Sequence, residues 1–248
     1  MHRFFVDGPL IPGEELALPR EVAQQVSRVL RLRAGDTIAL LDGSGWQYPV
    51  ELTGLAAGQA TGRVGAGQPI ETEPAVAITL YAAPLKGDHY AYTLQKATEI
   101  GTAAFVPIVT ARTVAGEASA TKLERWRRIV REAAEQSGRG RIPPVSAPRP
   151  FADACWDAAE AGLALIPWEE EHGRGLRATI AAWATEHGPP ARLGLFIGPE
   201  GGFTVQEIAI ARDAGIIPVT LGKRILRAET AAAVATALTL AAAGEMDG

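Results

Sequence analysis

The sequence predicts an α/β protein of two domains, a small N-terminal β-barrel followed by a mostly parallel sheet covered by helices. Three observations predict it. The first ~70 residues read as short apolar runs between tight glycine turns, Gly65 to Pro74 has linker composition, and strand-like and helix-like segments then alternate. A chain of 248 residues, 47% hydrophobic and 21% charged, can bury such cores without covalent staples. The single cysteine, Cys155, excludes an intrachain disulfide and fits a reducing compartment.

In the first domain, expected over 1–70, Thr37 to Leu41 is an apolar strand closed by the turn Asp42-Gly43-Ser44-Gly45. Gln47 to Leu52 and Gln59 to Val64 follow as further strands. A helix from about Arg20 to Leu30 interrupts them, with Val22, Val26, Val29 and Leu30 on one face. The second domain, expected over 74–248, begins with a buried strand from Ala75 to Ala82. Asp88 offers an N-cap for a helix that reaches Ile100 and stops at Gly101. A strand runs through Phe105-Val106-Pro107-Ile108-Val109, and Thr121 to Ser137 is a long helix with Leu123, Trp126, Val130 and Ala133 toward a core. Strands at Leu163 to Ile166, Leu193 to Ile197 and Ile216 to Leu221 are each followed by a helix. The last two helices begin near Thr204 and Thr230, and Thr204 with Glu207 forms a capping box. Such alternation implies a mainly parallel sheet buried on both faces.

The longest apolar run, Ala231 to Ala243, falls short of the ~20 residues a bilayer span needs and reads as a buried helix. The N-terminal residues Met1 to Asp7 lack a secretory apolar segment, and the expected location is the cytoplasm. Net charge is −4, yet Lys122 to Arg141 holds seven basic and three acidic residues. Arg28, Arg31 and Arg33 form a second basic cluster. Alone, such runs are solvated helix faces. Phosphate affinity follows local positive stripes, so an acidic whole does not exclude RNA.

In open α/β sheets ligands bind at the carboxyl ends of strands. Two such ends carry unusual loops: Ile197-Gly198-Pro199-Glu200-Gly201-Gly202-Phe203, and Leu221-Gly222-Lys223-Arg224-Ile225-Leu226-Arg227-Ala228-Glu229-Thr230. Their glycines let backbone approach a ligand closely. Together they read as two walls of one pocket, which Trp168-Glu169 at another strand end could also line. Neither matches the dinucleotide or P-loop glycine pattern, so nicotinamide and nucleoside-triphosphate chemistry is unsupported. His2, His89, His172, His187 and Cys155 are scattered, so no metal site is expected. Trp126 and Trp183 fall on apolar helix faces and read as core.

These loops and four further blocks closely resemble the RsmE family of 16S rRNA uridine methyltransferases, of the SPOUT class. The blocks are Arg3-Phe4-Phe5-Val6, then Val29-Leu30-Arg31-Leu32-Arg33-Ala34-Gly35-Asp36, then Gln95-Lys96-Ala97-Thr98-Glu99-Ile100-Gly101, and Glu132-Ala133-Ala134-Glu135-Gln136-Ser137-Gly138-Arg139. They keep order and spacing from end to end. Ile100, Thr102 and Ala228 depart from residues common in the family, and none of these changes removes a charge or a glycine.

The resemblance implies a PUA-like RNA-binding barrel, a SPOUT domain with a C-terminal trefoil knot, and a homodimer. It implies methyl transfer from S-adenosylmethionine to N3 of uridine 1498 in 16S rRNA of the small ribosomal subunit, without a membrane or a metal. Ile197, Gly198, Pro199, Glu200, Gly201, Gly202, Leu221, Gly222, Ile225, Leu226 and Thr230 are the expected donor-binding residues. Arg227, Arg139 and Arg3 are candidates to stabilise the uridine anion, and Glu229 and Glu200 are possible bases or loop-orienting groups. Arg28, Arg31, Arg33, Lys86, Lys96, Arg128 and Arg139 are expected at phosphates. The alternatives are a non-catalytic ribosome-assembly protein of this fold and a SPOUT methyltransferase acting on another RNA.

Overall fold

In the computed structural model, residues 1–56, 58–114 and 119–246 are described. Parts of the expected 74–248 domain, residues 115–118 and 247–248, lie outside them. The chain divides into two compact units, Met1–Glu73 with Ala134–Ile142, and Pro74–Ala133 with Pro143–Gly248. Residues 134–142 thus group with the N-terminal part, across the boundary that composition suggested.

The first unit holds β1 (Arg3–Phe5), β2 (Glu15–Ala17), α1 (Arg20–Gln24), β3 (Thr37–Leu41), β4 (Trp46–Ala56), β5 (Gln59–Val64) and β6 (Gln68–Pro69). Its sheet runs β1-β3-β4-β5-β2, with β6 beside β4. All pairings are antiparallel except β1 with β3. Ile38, Leu40, Val50, Leu52 and Val64 supply the apolar face that Val22, Ala23 and Val26 cover. The helix after Gln24 departs from expectation. Gln25–Val29 forms a π-helical turn, with the Leu30 amide donating to the Gln25 carbonyl. The wider turn rotates the face, so Val29 is 71% exposed rather than in the core. Arg31 follows with φ 56, a left-handed conformation unusual for a side chain with Cβ.

Within this unit Glu73 organises Arg139–Arg141. Its Oε1 accepts from the amides of Gly140 and Arg141 at 3.0 and 3.2 Å. The Arg139 guanidinium, almost fully buried, donates to both carboxylate oxygens at 2.5 and 3.3 Å. Glu135 accepts from the Phe5 amide at 2.8 Å.

The second unit contains β7 (Ala77–Ala82), α2 (His89–Ile100), β8 (Ala104–Val109), β9 (Arg149–Pro150), α4 (Phe151–Ala161), β10 (Leu163–Pro167), α5 (Leu176–His187), β11 (Arg192–Ile197), α6 (Val205–Asp213), β12 (Ile217–Val219) and α7 (Ala228–Ala242). Helix α3 (Ala120–Ser137) begins in it. The sheet order is β12-β10-β11-β7-β8-β9, all parallel. Both faces are buried, as the apolar runs require. Tyr81 and Phe196, register partners, stack at 4.5 Å in a cluster that includes Phe151, Ala154, Ile208 and Ala211 of α4 and α6. Their neighbours Leu80 and Leu195 are fully buried on the opposite face of the pleat. There α7 packs against β11 and β7 and against helices α2 and α5.

Two helix starts differ from expectation. The Asp88 side chain makes no cap and instead pairs with Arg125 at 2.8 Å. Helix α7 begins at Ala228, before Thr230, because Arg227 holds the extended N-cap conformation. Trp183 is half-buried and stacks on His187, whereas Trp126 is core. Among the described residues no helix is long and apolar enough to cross a membrane.

Candidate functional site

The carboxyl ends of four adjacent strands, β12, β10, β11 and β7, meet around one cavity of about 800 Å³ in the second unit. Its walls are the loop after β11, the loop after β12, the turn from Pro167 to His172, and Lys86 with His89 beyond β7.

The β11 loop is tight because three contacts require it. The Gly202 amide donates to the Pro199 carbonyl at 2.9 Å, and Gly202 holds φ +67. A Cβ there would also collide with the Glu169 carboxylate. A Cβ on Gly198 would press on the Phe203 ring at 3.1 Å. Below the loop, Thr204 caps α6. Its hydroxyl accepts from the Glu207 amide at 3.1 Å, and the Glu207 carboxylate accepts from the Thr204 and Ala111 amides at 2.8 and 2.7 Å. Arg112 donates to the Gly201 carbonyl at 2.6 Å. The loop is therefore fixed from several sides before any ligand arrives.

The β12 loop is anchored at its start, where the Gly222 amide and the Thr220 hydroxyl pair at 3.2 Å. Beyond that it is open: Lys223, Arg224 and Arg227 are exposed, and Ile225 is 88% exposed. An apolar side chain bared on the wall of a cavity is available to pack on a ligand.

Charge at the cavity is mixed. Glu200 accepts from the Lys86 amide at 2.9 Å. Burial pushes its carboxyl up, but the amides of Lys86 and Glu200 and the charges of Lys86 and His89 outweigh that. The net result lies below its ordinary value. Glu229, in the first turn of α7, faces Nδ1 of His89 at 3.2 Å. Arg212 lies over the Trp168 ring at 5.7 Å. No cluster of three or more His, Cys, Asp or Glu suited to a metal occurs among the described residues. Cys155 is buried at 0% exposure, and burial pushes its thiol up to about 12, which leaves it unreactive.

The cavity thus gathers Ile197, Gly198, Pro199, Glu200, Gly201, Gly202, Leu221, Gly222, Ile225, Leu226 and Arg227, together with Lys86, Trp168 and Glu169. Thr230 is not among its lining residues and lies exposed in the first turn of α7. His89, His172, Lys223 and Arg224 also line it. The two histidines had passed for scattered residues, although each follows a strand end. Arg3 and Arg139 belong to the first unit, where Arg139 is 4% exposed and held by Glu73, a position that keeps it from phosphates. Arg28, Arg31 and Arg33 are exposed. Lys96 pairs with Glu99 at 2.8 Å, and Arg128 lies 3.7 Å from Glu132.

The RNA methyltransferase domain family matches residues 72–240, which include every wall of this cavity. Ribosomal RNA small subunit methyltransferase E of Synechocystis is 41% identical over 218 residues, covering 86% of this chain and 68% of that protein. The chain belongs to the RsmE family. Among solved RsmE-like structures, that of ribosomal RNA small subunit methyltransferase E from Neisseria gonorrhoeae bound to S-adenosyl methionine is 33% identical. It has a TM-score of 0.88, with 97% of each chain covered. A Legionella pneumophila methyltransferase in complex with S-adenosyl methionine is 30% identical, with a TM-score of 0.84 and 97% of each chain covered.

Proposed function

We propose that this chain transfers a methyl group from S-adenosylmethionine to N3 of a uridine in 16S rRNA of the small ribosomal subunit. Donor-dependent rRNA methylation is the reaction named for its RsmE relatives, one of them solved with the donor. The observation that carries it here is the convergence of both glycine-bearing loops on one cavity.

That cavity suits the donor on three counts. Its volume is in the ~300–1,000 Å³ range of small-molecule sites. Gly198 and Gly202 let the β11 loop close on Phe203 and Glu169, where a Cβ would collide, and so set backbone at the cavity wall. Its mixed lining, with Glu169, Glu200 and Glu229 beside Lys86, Arg224 and Arg227, suits a donor that carries a sulfonium, an ammonium and a carboxylate. Backbone of Gly198 to Gly202 and of Leu221 to Leu226 would hold the donor, with Leu221, Ile225 and Leu226 packing on it. When bound, it supplies a methyl made electrophilic by its sulfonium.

The chain's own part is positioning and charge. Uridine N3 carries a proton, so methylation requires in-line positioning of N3, the methyl carbon and sulfur, loss of that proton, and stabilisation of the developing anion. Arg227, exposed and lining the cavity at the start of α7, would stabilise it. Arg139 is engaged by Glu73, so Arg227 rather than Arg139 carries this part of the chemistry.

The first unit serves as a PUA-like barrel that holds rRNA through Arg28, Arg31 and Arg33. The second is a SPOUT domain whose last segments form a trefoil knot, a reading that comes from the likeness to RsmE. Two copies associate, in the cytoplasm.

The test is transfer of labelled methyl to small subunits lacking the modification, followed by mapping of the labelled base. Label on N3 of uridine 1498 supports the full reading. Label on another RNA or atom overturns the substrate, and absence of donor binding favours an assembly factor that has lost chemistry.

A further inference from the structure

The N3 proton needs an acceptor, and the cavity contains a pair suited to take it. His89 opens α2 and lines the cavity, its side chain half exposed. Its Nδ1 lies 3.2 Å from Oε1 of Glu229, whose side chain is only 14% exposed. Glu229 sits in the first turn of α7. An ionised carboxylate at that distance accepts from Nδ1–H and so selects the tautomer with a lone pair on Nε2. The charged groups that line the cavity with this pair include Lys86 before α2, Glu169 after β10, Glu200 on the β11 loop, and Lys223, Arg224 and Arg227 on the β12 loop. Neighbouring Asp88 is engaged by Arg125. Glu200 is itself a weaker base than a free carboxylate because, despite its burial, the amides of Lys86 and Glu200 and the charges of Lys86 and His89 hold it low.

We propose that His89, oriented by Glu229, is the general base that removes the N3 proton of the target uridine. The inference rests on the reading that the chain methylates uridine N3. In the step, the N3–H bond breaks and its proton passes to Nε2. The pair left on N3 bonds to the methyl carbon, and the carbon–sulfur bond breaks with its electrons kept by sulfur. The positive charge of the sulfonium thus reappears on the imidazolium, beside the Glu229 carboxylate. Water restores the base through the exposed edge of the ring.

Two measurements test this. Long-range 15N NMR of the protein without RNA, in which only four histidines contribute signals, reads the tautomer directly. The Nδ1–H form is expected for neutral His89, reverting toward the common Nε2–H form in Glu229→Ala. The Nε2–H form in the unmodified protein overturns the proposal. Single-turnover transfer to small subunits across pH is the second measurement. His89→Gln is expected to slow transfer by about a hundredfold or more and to erase the acidic limb of the profile. Rates are compared at saturating donor, so a change in donor affinity does not enter the comparison. A variant that keeps the rate and the limb overturns the proposal. If the unmodified chain binds no donor, or labels an atom other than N3, the underlying reading falls first and this one with it.

Discussion

Gly202 concentrates three demands on one residue. It holds φ +67, donates its amide to Pro199, and leaves no room for a Cβ beside Glu169. Alanine there must either strain the backbone or displace the carboxylate, and both move the wall of the cavity. Gly202→Ala is expected to weaken S-adenosylmethionine binding at least tenfold while the fold is retained. Calorimetry beside circular dichroism checks both, and undiminished affinity would remove Gly202 from the donor site. Arg227 carries a different expectation, because a group that stabilises charge in the transition state acts on turnover rather than on donor affinity. Arg227→Ala is expected to lower the methylation rate by about 10²-fold, a loss typical of removing one such donor. A rate within a few-fold of the unmodified protein would exclude the role.

At the scale of elements, the cavity depends on how α6 and α7 begin. The capping box joins Thr204 and Glu207, and the same carboxylate reaches the Ala111 amide. Thr204→Ala is expected to destabilise the protein by about 1 kcal/mol, as loss of a side-chain cap does. Urea unfolding measures it, and no change in midpoint would mean Glu207 alone holds the helix start. This box was legible in the sequence because its spacing is its geometry. So were β10 and β11, whose unbroken apolar runs are what burial on both faces demands. Strands β1, β2, β6 and β9, of two or three residues, are too short to show any period and exist only through their partners. Val29 was misplaced because a 3.6-residue period assumes an α-helix, and the chain makes a π turn there. The glycine loops announced the site, whereas the His89–Glu229 pair did not. Its two members are far apart in sequence and meet only because α2 and α7 pack side by side.

For the molecule as a whole, a net charge of −4 coexists with basic stretches, and the two act over different ranges. Contacts to phosphate are local and release counterions, so affinity for rRNA is expected to fall steeply with added salt. The Arg128 side chain, 71% exposed, should lessen the salt slope by ~1 when changed to alanine if it meets a phosphate. Filter binding at several salt concentrations gives that slope, and an unchanged value assigns Arg128 to the solvent. The order of strands has a consequence for synthesis. Strand β7 emerges early but lies between β8 and β11, and β11 begins about 110 residues after β7 ends. At a ribosomal pace of ~5–20 residues per second, one edge of β7 waits roughly 5–20 s for its neighbour. Throughout that interval the nascent chain presents an apolar, hydrogen-bonding strand edge, the kind of surface that chaperones cover. Both glycine loops follow β11 in the chain, so the ability to bind donor marks a nascent chain in which that wait is over.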